Sequence, residues 1–175
     1  MYTMVRRRRR SAETNYRKRI KELTGSMPRL VVRKSNRSVI VQVIEYAENG
    51  DKILASANSK ELKAMGWEPR CNIPTAYLTG LLLSKKWKDH EVILDTGLYK
   101  PIGGSVVFSA AKGAQEGGLQ VKGELAMDAN RISGAHIENY AKDHKDRFSA
   151  YSKQGFDPSS IKVRFEDTKK KIMGK

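Results

Sequence analysis

Cysteine is almost absent from this sequence, and its basic N-terminus is not followed by the apolar run of a leader or anchor. The single cysteine, Cys71, excludes an internal disulfide and a cluster of cysteine metal ligands. A chain with so little cysteine is typical of proteins of the reducing cytoplasm. Because residues 6–10 are all arginine with no apolar segment behind them, we expect neither a signal peptide nor a membrane anchor.

Acidic residues are scarce at both ends of the chain. The 175 residues carry a net charge of +15. Residues 1–37 hold 13 Lys and Arg against two acids, and residues 162–175 hold six against two, so these segments carry +11 and +4 while the middle is neutral. An excess of positive charge concentrated at the two ends of the chain is typical of a protein that binds a polyanion, and nucleic acid is the leading candidate. An acidic membrane is disfavoured because the N-terminal segment lacks a broad apolar face.

Residues 1–27 hold too few apolar side chains to fold on their own. Tyr16, Ile20 and Leu23 recur at spacings of four and three, which predicts a short helix that becomes ordered on its partner, with a disordered segment as the alternative. Tyr16 stands next to Arg17, so it is a candidate for stacking on a base or ribose, and a packing role is equally open.

Residues 28–45 have the pattern of a β-hairpin with basic residues at its turn. Two β-branched runs flank a polar break at residues 35–38. Alternation along the first run puts Leu30 and Val32 on one face and the intervening residues, Arg33 among them, on the other. A cationic turn on a rigid sheet favours an anionic partner.

The rest of the pattern predicts an α/β fold. Three antiparallel strands are followed by helix, strand, helix and strand, with crossovers expected to be right-handed. The further strands are predicted at residues 52–58, 91–96 and 119–121. A helix is predicted at residues 60–66, and two more begin after the N-caps Asn72 and Ser105. The C-terminal third is predicted to be helical from about Ser133, with a last helix after the N-cap Asp157.

Two weak patterns suggest catalysis or metal binding. Asp95, Thr96 and Gly97 resemble the signature of aspartic proteases, in which two carboxylates share one proton. With one copy present, catalysis would need a homodimer, and here the signature ends a strand of an α/β pattern whereas those proteases are all-β. The eight-residue step from His136 to His144 is a weak metal-ligand spacing. A homodimeric aspartic protease using Asp95 stays as the alternative function.

Four stretches of the chain resemble the universal large-subunit ribosomal protein that binds 5S ribosomal RNA (rRNA), called L-eighteen in bacteria and L-five in eukaryotes. They occur in order at the family's spacing and span nearly the whole chain. The C-terminal helical part resembles the archaeal and eukaryotic form. The stretches are residues 28–36, residues 53–59, residues 95–101 with Gly103 and Gly104, and residues 132–141.

The resemblance implies a ribonuclease-H-like α/β core, in which three antiparallel strands precede parallel strands with crossover helices. It also implies a structural RNA-binding role and not an enzyme, because residues 29–34 lack the acids that nucleases with this core require. We divide the chain into a basic arm (1–27), a core (28–125) and a helical extension (126–175). No catalytic residue, metal, cofactor, small-molecule substrate or membrane partner is expected.

The partners that the resemblance implies are 5S rRNA, large-subunit rRNA and neighbouring large-subunit ribosomal proteins, at the central protuberance of the cytoplasmic ribosome. We expect the arm to thread between the two RNAs and the turn at residues 33–37 to grip folded 5S rRNA. A second contact is expected at Tyr99 and Lys100, with packing equally open for Tyr99. The predicted rRNA-binding residues are Arg6, Arg7, Arg8, Arg9, Arg10, Tyr16, Arg17, Arg19, Arg33, Lys34, Asn36, Arg37, Tyr99, Lys100, Arg131 and His136.

Overall fold

One mixed five-stranded sheet forms the centre of the fold. A computed structural model describes residues 7–11, 13–87 and 91–174. The strands are β1 (Arg29–Lys34), β2 (Val39–Glu45), β3 (Lys52–Asn58), β4 (Glu91–Asp95) and β5 (Gln120–Lys122). The helices are α1 (Arg7–Arg10), α2 (Tyr16–Leu23), α3 (Ile73–Lys86), α4 (Val106–Glu116), α5 (Ala129–Ser133), α6 (Ala135–Asp143), α7 (Ser149–Ser152) and α8 (Ile161–Met173), with 3-10 segments at Ser59–Met65, Lys145–Phe148 and Pro158–Ser160.

The strand order is β3-β2-β1-β4-β5. β1 pairs antiparallel with β2, and β2 pairs antiparallel with β3. β4 lies parallel to β1, and β5 parallel to β4, with α3 and α4 returning the chain between parallel strands. This is the arrangement implied by the family resemblance, so the predicted α/β fold class is confirmed.

The main core lies between the sheet and the helices α3 and α4. Alternation along β1 directs Leu30 and Val32 into this core, where both are fully buried together with Val41 and Val43 of β2. The caps form as predicted: the Asn72 side chain accepts a hydrogen bond from the Thr75 amide, and that of Ser105 accepts one from Phe108. No helix within the described residues is long and apolar enough to span a membrane.

The helical segments depart from the prediction in three places. The segment predicted as a helix at 60–66 is a 3-10 helix that starts at Ser59. The C-terminal third begins its first helix at Ala129 and not near Ser133, and Gly134 at φ +84° then separates α5 from α6. The third departure is at His144, whose backbone is not helical. Ile161, Phe165 and Ile172 form a buried face of α8.

The extension is packed into the core and is not an appended tail. Phe165 of α8 lies 6.3 Å from Trp67 and 5.5 Å from Tyr77, measured between ring centroids. The Trp67 indole donates to the Thr75 hydroxyl at 2.9 Å, which satisfies its only polar group. The Tyr77 hydroxyl donates a hydrogen bond to the Glu116 carboxylate at 2.5 Å, so its polar group is satisfied as well.

The helices α3 and α4 cross in close backbone contact. A Cβ atom at Gly80 would overlap the carbonyl group of Ala110, and one at Gly113 would overlap that of Tyr77. Both positions therefore require glycine for packing reasons, although glycine weakens a helix interior.

We expect Gly80→Ala and Gly113→Ala each to lower the free energy of unfolding by about 1–3 kcal/mol, because the separation of the helices must increase. Thermal and urea unfolding of the purified variants measures this. Gly25→Ala is the matched control, since a Cβ there meets Ile93 and Met27 only at ordinary distances of 3.7 and 3.8 Å. Variants as stable as the unmutated chain would contradict the close helix contact.

Candidate nucleic-acid interface

A buried arginine joins the start of β1 to two carboxylates. The Arg29 side chain is 4% exposed and donates to Asp51 at 2.7 Å and to Asp95 at 3.2 Å. Its Nε has no partner in the described structure. Asp51 lies just before β3 and Asp95 ends β4, so one guanidinium connects three strands on the face of the sheet opposite α3 and α4.

Asp95 also holds the guanidinium of Arg33, at the end of β1. Arg33 donates to the Asp95 carboxylate at 3.1 Å and to its carbonyl oxygen at 3.0 Å. The Gly97 amide donates to the same carboxylate at 2.6 Å. Burial alone would raise the pKa of Asp95, but Arg33, the Gly97 amide and Arg29 outweigh it and hold the pKa below its ordinary value. Asp95 is therefore a charged structural anchor.

The basic helix α2 docks on this face through polar contacts. Lys18 donates to the Thr96 hydroxyl at 2.5 Å, and one nitrogen of Arg19, Nη2, donates to both carboxylate oxygens of Asp51 at 2.9 Å. The helix buries no residue completely, and Ile20 remains 64% exposed. The predicted helix is confirmed, and its hydrogen bonds to the loop after β4 and to Asp51 come from Lys18 and Arg19.

The loop after β4 lies against the end of β1. The Tyr99 hydroxyl donates to the Lys34 carbonyl at 2.9 Å, while the Lys34 ammonium lies 5.2 Å from the Tyr99 ring centroid. Thr96 donates to the Tyr99 carbonyl at 3.0 Å, which fixes the loop on the strand. Because β1 and β4 are parallel, their carboxyl ends bring the turn and this loop to one edge of the sheet.

The turn between β1 and β2 presents its polar side chains to solvent. The Ser35 hydroxyl accepts from the Ser38 amide at 3.0 Å and from the Arg37 amide at 3.3 Å, which closes the turn locally. Asn36 and Arg37 are exposed, and their side chains contact no partner within the described ranges. They are free to meet a ligand.

A cleft of about 460 Å³ separates α2 from the sheet. Four cations and four carboxylates line it, so its own charge is close to balanced. Its lining includes Lys18, Arg19, Arg29 and Arg33, and Glu13, Glu22, Asp51 and Asp95. Surplus positive charge therefore lies outside the cleft, on the arm and the turn.

The structure brings some of the predicted residues together. Arg33, Lys34 and Tyr99 meet through contacts between β1 and the end of β4 with its following loop, and Arg19 pairs with Asp51, which also binds Arg29 of β1. Of the remaining predicted residues, Arg17, Asn36, Arg37 and Lys100 are exposed, Tyr16 is half-buried, and Arg7 and Arg10 lie on the exposed α1. Arg6 and the side chains of Arg8 and Arg9 lie outside the described residues.

Arg131 and His136 lie on α5 and α6, both exposed. Burial and the nearby Arg131 hold the pKa of His136 below its ordinary value, against an opposing effect of Asp128. The intervening Gly134 packs against Pro74 at the start of α3. Since α3 runs antiparallel to β1 and β4, this places the pair towards the end of the sheet that carries the turn.

Sequence reasoning missed the anchoring roles of Lys18, Arg29 and Asp51. An arginine within an apolar strand run was the available signal for Arg29, since a charge that enters a core needs a partner.

The pairing of Asp95 with two guanidiniums argues against the protease alternative, because a catalytic dyad needs a carboxyl group that can hold a proton. Within residues 7–11, 13–87 and 91–174, no group of His, Cys, Asp or Glu side chains is arranged to hold a metal ion.

Comparison with known proteins identifies the family. Residues 1–90 match the family described as ribosomal large subunit proteins 60S L5 and 50S L18. The large ribosomal subunit protein uL18 of Methanococcus maripaludis is 39% identical, over 95% of this chain and 93% of that protein. The uL18 proteins of Ignicoccus hospitalis and Thermofilum pendens are each 42% identical over 98% of this chain, and over 91% and 94% of their own length. The chain therefore belongs to this family, as its sequence predicted.

We expect Asp95→Asn to lower the free energy of unfolding by about 3–5 kcal/mol, because Arg29 would be left buried with one carboxylate in place of two. Urea unfolding at neutral pH measures the change. Glu91→Gln is the control, since Glu91 forms a 3.4 Å pair with Lys122 in which both side chains are about half exposed. That substitution should change stability by less than about 1 kcal/mol. Equal effects of the two substitutions would refute the anchoring role of Asp95.

The dependence of the free energy of unfolding on pH should also reveal the contribution of the Asp95 carboxylate. Because the folded-state pKa of Asp95 is lowered from 3.8, its contribution to stability is complete above that pH and is lost as the pH falls through the folded-state pKa. The stability difference between the unmutated chain and Asp95→Asn should therefore shrink on acidification from about pH 5 to about pH 2. A difference that stays constant over this range would contradict the lowered pKa.

Proposed function

We propose that this chain binds 5S rRNA within the large ribosomal subunit and anchors it to the large-subunit rRNA in the central protuberance. The observation that carries the proposal is the convergence of the basic arm helix, the turn of the first hairpin and the loop after β4 on one side of the sheet. Membership of a ribosomal large-subunit family makes ribosomal RNA the natural polyanion for that surface.

Charge provides the affinity in this proposal. The first 37 residues carry +11, and Arg17, Arg37 and Lys100 are exposed without an acidic partner in the described structure. Each cation that neutralises a phosphate releases condensed counterions, which favours binding and makes it sensitive to salt. The arm, residues 1–27, would lie between the two RNAs.

Shape provides the specificity. The base edges of A-form RNA lie in a deep and narrow major groove, so a rigid surface must recognise backbone geometry and unstacked loops. Arg33 is held at three points yet remains 44% exposed, which orients its guanidinium for a phosphate fork. Asn36 can reach a sugar or a base edge beside it.

Three functional units follow from this proposal. The arm (1–27) meets RNA, the core (28–125) positions the turn and loop, and the extension (126–175) meets neighbouring ribosomal proteins and further RNA through Arg131 and His136. The family consists of structural components of the cytoplasmic ribosome, in agreement with the prediction that the chain is not an enzyme.

Binding of 5S rRNA should depend steeply on salt, and each lost phosphate contact should reduce the slope of log K against log salt by about 0.7–0.9. We expect Arg37→Ala to reduce the slope by about one contact, and replacement of residues 6–10 by alanine to reduce it by several. Titrations of labelled 5S rRNA at several salt concentrations measure this.

Lys122→Ala is the matched control, because Lys122 is an exposed lysine on β5 at the far edge of the sheet. It should leave both affinity and slope unchanged. Equal affinity of the unmutated chain for 5S rRNA and for an unrelated RNA of the same length would overturn the proposed specificity.

A further inference from the structure

Three ring side chains lie along one side of α6 and at its C-terminal end. His136 and Tyr140 are four residues apart in α6, which places them on one face of the helix. His144 follows directly after the last helical residue. Tyr140 and His144 are stacked, with centroids 4.4 Å apart and planes within 5°. Tyr140 is 48% exposed, and both histidines are exposed as well. We call these three residues the α6 ring row.

The α6 ring row is the outer end of a continuous chain of aromatic contacts that reaches the core. Each contact joins ring centroids 5.1 to 6.1 Å apart. A ring held in this way loses little conformational freedom when it meets a flat ligand. Starting from Tyr140, the chain passes through Phe148, Tyr151 and Phe156 to Trp67.

The surroundings of the row are polar. The exposed residues beside it include Asn139, Lys142, Asp143 and Arg147, so the rings do not belong to a broad apolar patch such as a protein partner would bury. Arg131 lies close enough to His136 to affect its pKa. Exposed flat rings bordered by charged side chains suit a ligand that is itself flat and has polar edges.

We infer that the α6 ring row is a stacking site for an unpaired nucleobase of ribosomal RNA. The inference rests on the proposed function and adds Tyr140 and His144 to the residues that meet RNA. Stacking on an aromatic ring tolerates any base, since every base has a π-face. The site would hold one extruded nucleotide while the arm and turn bind backbone elsewhere.

Chemical probing of base reactivity tests this inference. Complexes of the full chain with 5S rRNA and, separately, with large-subunit rRNA would be probed. Comparison of the two complexes identifies the RNA that supplies the base. We expect one or two unpaired nucleotides to be protected by the unmutated chain and by Tyr140→Phe, which keeps the ring. Tyr140→Leu and His144→Leu should both restore their reactivity and weaken binding about five- to a hundredfold.

Thermal unfolding checks that the leucine variants remain folded, and His144→Leu serves if Tyr140→Leu does not. Unchanged protection in a folded leucine variant, or equal loss with Tyr140→Phe, would overturn the stacking site and leave the proposed function standing. Failure of the unmutated chain to bind 5S rRNA would instead overturn the proposed function.

Discussion

The guanidinium of Arg29, buried between Asp51 and Asp95, is the contact on which the candidate interface depends. A buried charge is tolerated only when its partners are fixed, and here they come from the ends of two other strands. The same two carboxylates then bind Arg19 of the arm helix and Arg33 at the turn. One short series of ion pairs thus sets the positions of the arm, the turn and the loop relative to the sheet.

This arrangement divides the cations of the chain into two sets. Arg19, Arg29 and Arg33 have acidic partners within the protein, so they contribute mainly geometry. Arg17, Arg37 and Lys100 are exposed without such partners in the described structure, so their charge is available to phosphates. Arg33 combines the two roles, since it is anchored on one side and open to solvent on the other.

Local pattern predicted the five strands to within a residue and the starts of α3 and α4. Alternating β-branched residues defined the first hairpin, and capping side chains such as Asn72 and Ser105 marked helix starts within a residue. The ion pairs could not be predicted in this way, because Arg29 finds its partners 22 and 66 residues away in sequence. The left-handed Gly134 was missed for a similar reason: its contacts with Pro74 and Ile161 are tertiary. The candidate residues at the turn and the loop are far apart in sequence, and the parallel pairing of β1 with β4 brings them together.

Directed hydroxyl-radical probing tests the unity of the interface most directly. An iron chelate would be tethered in turn to Arg17→Cys, Arg37→Cys and Lys100→Cys, each in a Cys71→Ser background, with Lys122→Cys as the distant control. If the arm helix, the turn and the loop form one RNA-binding surface, the first three probes should cleave one contiguous region of bound 5S rRNA and the control should not cleave it. Cleavage at three separate regions, or equal cleavage from the control, would contradict a single surface.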